Sequence, residues 1–495
     1  MEIILYPTFI KVTDYELGMA LKLEKYLSVW DKATFKYKFN AFIFNDEDNS
    51  IIFPAGINLQ LLKSLLPEHE VVDYRVNYYE PKRKNVAIKL NYTPRNEVQR
   101  KAIESLRDSK YSKNAYQKML CLNTGDGKTY CAVNYIATSA RIPMIFIDKE
   151  NLANQWKERI IEYSSVTEDQ IYYISGKKSI DKLFTMKKID IKKYKFFIAS
   201  HKTIKAFMDI DPENIQSLFN KLDISVKIFD EAHLEYEKIF RIDSNTLCPS
   251  LYLTATPSRT NRSEDMVFQN IIYSIFKFTS DSNKIKNKGE KYHRVIICKI
   301  NTKPSEEVVA TLAKASMRRG FNVPAYSKYI LEDKYDEYYK YIHDILFNIT
   351  LAKGTINRKT VILIKQKNLV DKIYDSLHED LIDKYNINIT IGKFYSGLSK
   401  DLKEQALESD IIVTTDSSMG TAIDIKGLEC IISTIPTSSP VLTTQMLGRL
   451  RQLDNKEVLY FDIVDCGFKE CRNQLTQRKS KVYNLKANRI QEIEL

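Results

Sequence analysis

The stretch CLNTGDGKTY, residues 121–130, has the residue types and spacing of a phosphate-binding turn. In the pattern G-x-x-x-x-G-K-[ST], Gly127, Lys128 and Thr129 fit, and Leu122 stands where a first glycine is usual. KMLCLNT before it reads as a strand and TYCAVNYIATSA after it as a helix, the context such a turn requires. Backbone N–H groups and the helix N-terminus would hold phosphates, Lys128 would reach the β and γ oxygens, and Thr129 would ligate Mg²⁺. An ordinary glycine turn is the alternative.

Three further stretches carry chemistry. KIFDEAHLEY ends an apolar strand in Asp230 and Glu231, at the sheet edge where α/β proteins bind ligands. One carboxylate there can hold Mg²⁺ through water while the next deprotonates the attacking water. The alternative is a pair of acids serving a helix dipole. LYLTATPSRT places Thr254 and Thr256 at a strand end before a proline turn, where hydroxyls can couple the carboxylates to a following domain. TTQMLGRLRQ, residues 443–452, offers Gln445, Arg449 and Arg451, and an arginine can stabilise charge on a transferring γ-phosphate.

The elements that must position these residues are legible as pattern. At 495 residues the chain calls for two or three domains. Residues 1–80 read as a small α+β accessory domain, and PKRKN at 81–85 as a linker. Within that domain DYELGMALKLEKYLSVW reads as one helix. MLCLNT, MIFID, FFIAS, VKIFD and LYLTAT then alternate with helical lengths, predicting a doubly wound parallel sheet over 90–285. A turn-rich basic segment at 279–294 separates a second such series, VIICKI through VLYFDIV, over 290–495. Its end, CRNQLTQRKSKVYNLKANR, reads as a basic helix suited to duplex contact or to plain solvation.

Composition narrows the partners. Hydrophobic residues at 44% and charged ones at 28% are those of a globular chain, and no apolar run approaches the ~20 residues of a membrane span. The start, MEIILYPTFIKV, lacks a signal peptide's basic region. Seven cysteines without metal-type pairing predict a reducing, cytoplasmic setting. The net charge of +12 predicts a polyanionic partner.

Taken in order, TGDGKT, DEAH, TATP and QMLGR resemble the superfamily 2 helicases and translocases, whose first motif opens on a small residue other than glycine. The resemblance covers residues 90–470. It implies two tandem RecA-like domains with ATP and Mg²⁺ between them, Glu231 activating water, Asp230 and Thr129 at the metal, and Arg449 as finger. It assigns Gln99 to the adenine, and Thr124, Gly125, Asp126, Gly127, Lys128, Gly420 and Asp424 to the nucleotide. His233 joins Thr254 and Thr256 in coupling. Nucleic acid would run over Lys149, Ser200, Lys202, Thr203, Lys365, Thr414, Thr415 and Ser417. The family's second arginine would fall at 452, where this chain has Gln452, so the role of Arg451 stays open. Absence of a nuclease or methyltransferase pattern argues against a restriction subunit.

The N-terminal pattern, the QW at 155–156 and YFDIVDCGF further resemble UvsW-type phage helicases, related to XPB and RecG-like enzymes. That implies branch migration and unwinding of forks, D-loops, R-loops and Holliday junctions in recombination and repair. Replication and recombination proteins would be the partners, in a host cytoplasm. The rival expectation is a translocase that remodels nucleic-acid complexes, such as a transcript-release factor, or an RNA remodeller.

Overall fold

The computed structural model describes residues 2–15, 17–31, 35–66, 69–75, 88–107, 116–122, 125–148, 150–255, 257–259, 262–279, 292–314, 321–350, 358–419, 425–450 and 457–495. The linker at 81–85 and most of the 279–294 segment lie outside these residues, as do Thr124, Lys149, Thr256, Gly420, Asp424 and Arg451.

The chain divides into two compact units, Met1–Asn287 and Lys288–Leu495. The first contains strands β1 (Glu2–Leu5), β2 (Phe9–Thr13), β3 (Ser28–Asp31), β4 (Lys36–Asn40), β5 (Ile43–Asn45), β6 (Ser50–Pro54) and β7 (Glu70–Asp73). They form a five-stranded sheet, ordered β5-β6-β2-β1-β7, and a β3–β4 ribbon. The helix expected from DYELGMALKLEKYLSVW covers only Leu17–Leu27. SVWD continues as β3, because Val29 and Trp30 pair across to Phe39 and Tyr37, and branched and aromatic residues favour a pleated surface.

This small α+β region is packed onto the following sheet. Ile3, Val12, Phe53 and Leu62 belong to one buried cluster with Met119, Phe146 and Phe268. Gly56 makes the approach possible: a Cβ there would stand 2.5 Å from the Ile271 carbonyl oxygen. The Ser274 N–H donates to the Gly56 carbonyl at 2.9 Å, and Lys38 donates to Glu264 at 2.8 Å.

The first large sheet comprises β8 (Gln117–Cys121), β9 (Pro143–Ile147), β10 (Ile171–Ile174), β11 (Phe196–Ser200), β12 (Val226–Phe229), β13 (Ser250–Thr254) and β14 (Phe276–Thr279). All pairings are parallel, in the order β10-β11-β9-β12-β13-β8-β14. The strands β8, β9, β12 and β13 are buried at every residue, as expected where helices cover both faces.

The second unit repeats the plan with β15 (His293–Ile300), β16 (Lys359–Ile364), β17 (Ile391–Phe394), β18 (Ile411–Thr415), β19 (Leu428–Ser433), β20 (Val458–Asp465) and β21 (Ala487–Glu494). Their parallel order is β17-β18-β16-β19-β20-β15-β21. The architecture is two tandem RecA-like α/β domains with a small N-terminal α+β region. The basic end differs from a single exposed helix: Lys469–Arg478 is helical, whereas 487–494 joins the sheet beside β15. Arg478 turns inward and holds Asp462 through Nε at 3.0 Å and Nη2 at 3.1 Å. No helix among the described residues is long and apolar enough to cross a membrane.

Candidate active site

Neighbouring strands β12, β13 and β8 deliver the carboxylates, the coupling threonine and the phosphate loop to one sheet edge. Two backbone bonds fix them there: Leu122 N–H to the Thr254 carbonyl at 3.1 Å, and Ala232 N–H to the Leu253 carbonyl at 3.0 Å.

Leu122 is fully buried. Its side chain belongs to the core, and its carbonyl accepts from Lys128 Nζ at 3.3 Å, so a large residue here leaves the loop free. Gly125 and Gly127 have φ of 87° and 91°, a region that favours glycine. The helix Lys128–Ser139 starts directly after, with Gly127 as its cap, so its unpaired N–H groups and positive dipole end face the loop.

Gln99 is 3% exposed. Its Nε2 donates to the Asp126 carbonyl at 3.0 Å, and its Oε1 accepts from Arg95 N–H at 3.0 Å. Arg95 also donates to the Gly125 carbonyl. The structure therefore places Gln99 as a brace under the phosphate loop, with both ends of its amide engaged by protein.

Asp230 ends its strand with both oxygens addressed. Oδ1 accepts from Glu231 N–H at 3.0 Å and Oδ2 from the Trp156 indole at 2.9 Å. Burial and the adjacent Glu231 charge push this carboxyl up, opposed by the Trp156 bond and by Lys128. Glu231 has φ of 47°, an uncommon state for a side-chain-bearing residue that costs ~1–3 kcal/mol and gathers at functional sites. Its Oε2 is buried with no hydrogen-bond partner and lies 3.5 Å from His233 Nδ1. Burial, with Arg259 and Lys128, lowers His233 to about 4. A neutral ring therefore shares the 2.9 Å bond with the Thr254 hydroxyl.

These residues fit a nucleotide with Mg²⁺. A nucleotide-bound Mg²⁺ takes one or two carboxylates plus phosphates and waters.

Trp156 is the residue that motif matching left without a role; the QW at 155–156 was its only signal. Its helix, Glu150–Tyr163, follows β9, the strand beside β12. The indole thus aims Asp230 from one side. Trp156→Phe keeps an aromatic ring and removes the donor. We expect the Mg²⁺ needed for half-maximal ATPase to rise by about 10-fold, as for lost outer-shell partners of metal ligands. An unchanged Mg²⁺ titration would count against the orienting bond.

The nucleic-acid candidates divide. Ser200 ends β11 and its side chain makes no capping bond, Lys202 is exposed, and Thr203 accepts the Gly176 N–H at 2.8 Å. In the second unit Lys365 is paired with Asp416 at 2.6 Å. Thr414 is 1% exposed and donates to the Phe394 carbonyl at 2.5 Å. Thr415 is buried and bonds Ser418 at 2.9 Å, while Ser417 is exposed. Gln445 and Arg449 lie half-buried on the helix Pro440–Arg449.

Residues 92–259 match the family described as the type III restriction enzyme res subunit, a span running from before the phosphate loop to Arg259. Transcript termination protein A18 of fowlpox virus is 24% identical over 365 residues, covering 71% of each chain. The DNA 3'-5' helicase XPB of Kineococcus radiotolerans is 26% identical over 156 residues, 31% of this chain and 26% of that protein. In fold, the chain is similar to S. cerevisiae Dbp5 bound to RNA and ADP BeF3, at TM-score 0.52 and 14% identity over 81% of this chain and 90% of that one. The relatives it matches thus include a transcript termination protein and a DNA 3'-5' helicase, and the fold it shares with the solved structure is that of tandem RecA-like domains.

Proposed function

We propose that the chain hydrolyses ATP to drive movement on nucleic acid, and that it unwinds or branch-migrates branched DNA such as forks, D-loops, R-loops and four-way junctions. One observation carries the ATPase reading: Lys128, Asp230, Glu231 and the His233–Thr254 pair meet at one sheet edge. In this reading Gly125, Asp126, Gly127, Lys128 and Thr129 hold the phosphates, and Asp230 with Thr129 holds Mg²⁺. When bound, Mg²⁺ neutralises charge on the β and γ oxygens. Glu231 takes the proton of the attacking water. The neutral His233 accepts or donates to Thr254 without adding charge. Arg449 has the γ-phosphate role that its motif implies. The preference for branched DNA rests on the UvsW-type pattern of residues 1–80 and on QW and YFDIVDCGF.

A second reading, ATP-driven transcript release without strand separation, is favoured by the A18 relatives, which match over most of this chain. The deciding experiment measures ATPase rate with no polymer, single-stranded DNA, duplex, four-way junction and RNA at one fixed salt concentration. Stimulation strongest with the junction, together with strand exchange on it, supports branch migration. Stimulation without strand separation, accompanied by release of RNA from a stalled transcription complex, supports the second reading. No hydrolysis with any polymer would overturn both.

A further inference from the structure

The crossover between β10 and β11 concentrates positive charge. Residues 176–195, GKKSIDKLFTMKKIDIKKYK, hold eight lysines against two aspartates, six of the twelve excess positive charges of the whole protein. The short helices Lys177–Thr185 and Lys188–Ile191 bury Ile180, Leu183 and Ile191 against the domain. Lys177, Lys178, Lys187, Lys188, Lys192 and Lys193 are exposed. A solvated surface normally interleaves both signs, and here one sign dominates. Among the described residues, no ion pair joins Lys177, Lys178, Lys187 or Lys188 to an acid.

Position gives this charge a direction. β10 is the edge strand of its sheet. The lysine segment leaves β10 at Gly176, whose N–H donates to the Thr203 hydroxyl at 2.8 Å. It therefore begins against the Ser200–Thr203 stretch, which holds the uncapped Ser200 and the exposed Lys202. It ends at Lys195, immediately before β11 starts at Phe196. The segment thus connects the C-terminal end of the edge strand β10 to the N-terminal start of β11, its parallel neighbour. Five residues of strand span roughly 17 Å. That matches about five base pairs of duplex, at 3.4 Å per step.

We propose that the β10–β11 crossover is a phosphate-binding track that holds nucleic-acid duplex beside the first RecA-like domain, continuous with the Ser200–Thr203 contact. The ligand chemistry is a polyphosphate backbone read without sequence. The track rests on the nucleic-acid motor reading above but uses none of the residues that would bind ATP.

The test compares the full chain with Lys177→Gln/Lys178→Gln/Lys187→Gln/Lys188→Gln, and with the same four positions changed to Arg. Binding is measured to a duplex carrying a single-stranded tail and to the tail alone, as DNA and as RNA, across a salt series. Each phosphate contact contributes about −0.9 to the slope of log affinity against log salt for duplex DNA. The Gln variant should lose ~3–4 units of that slope on the tailed duplex and bind it at least tenfold more weakly at low salt. Binding to the tail alone should change little, the Arg variant should behave as wild type, and polymer-free ATPase should be unaltered. Equal slopes for wild type and the Gln variant would overturn the track while leaving the motor reading intact. A wild-type chain that binds no polymer would overturn both, and equal losses on tail and tailed duplex would overturn the assignment to duplex.

Discussion

Glu231→Gln is expected to bind ATP about as well as the wild-type chain and to hydrolyse it ~10²–10⁴-fold more slowly, the usual weight of a positioned general base. The amide keeps the shape of the side chain, so the left-handed backbone at this residue is retained and only the proton acceptor is lost. Lys128→Ala should differ in kind. It removes the ammonium that reaches the phosphates, so nucleotide binding falls together with turnover. Nucleotide titration and phosphate release, measured on both variants with a saturating polymer, separate the two. Undiminished turnover in Glu231→Gln would remove it as the base, and unchanged binding in Lys128→Ala would remove the phosphate loop assignment.

The second large effect is on stability. Lys227, in the middle of β12, is 0% exposed and its Nζ lies 2.5 Å from Asp243. The Lys227 ammonium also donates to Thr246 at 2.7 Å, while Asp243 accepts from Ser250 at 2.8 Å, Gln117 at 3.1 Å and the Tyr252 hydroxyl. Lys227→Ala leaves a buried carboxylate without its cation, which costs ~3–5 kcal/mol. We expect a first unit that unfolds at clearly lower denaturant concentration. The paired replacement Lys227→Met/Asp243→Asn should recover part of the loss, because it removes both buried charges while the amide oxygen still accepts from the buried donors around it. Equal losses in the single and the paired variants would point to packing rather than charge as the role of the pair.

The sheets were legible because their strands are short apolar runs buried on both faces. MLCLNT, MIFID, FFIAS, VKIFD and LYLTAT all became neighbours in one parallel sheet. The flanking strands were harder. IYYI at 171–174 and FKFT at 276–279 are half-exposed edges, and such strands carry a weaker apolar signal. The C-terminal strand ANRIQEIE alternates too many charged residues to declare itself. For the site, the motifs and the family resemblance singled out Lys128, Asp230, Glu231, His233 and Thr254, and the fold carries them on the neighbouring strands β8, β12 and β13 and the turns after them. What the motifs could not convey is orientation. Gln99 turned its amide into the loop backbone, Thr414 turned into the sheet, and Lys365 found Asp416, because each is decided by contacts distant in sequence. The Trp156–Asp230 bond spans 74 positions and has no local signature.

The seating of the first 75 residues on the motor domain reaches into how the protein is taken apart experimentally. The Thr8 hydroxyl donates to the Thr246 carbonyl at 2.5 Å, and Gln117 bridges the Thr8 carbonyl and Asp243. The N-terminal region is therefore mortared into the same foundation as the buried Lys227 pair. A chain trimmed of this region would bare an apolar wall around Phe268 and Ile271 and unhook part of that foundation. A dead truncation is then the signature of a damaged engine rather than of a missing substrate reader. Dissection of this region belongs to single substitutions on its outer surface, where Phe35 and Tyr37 stand exposed.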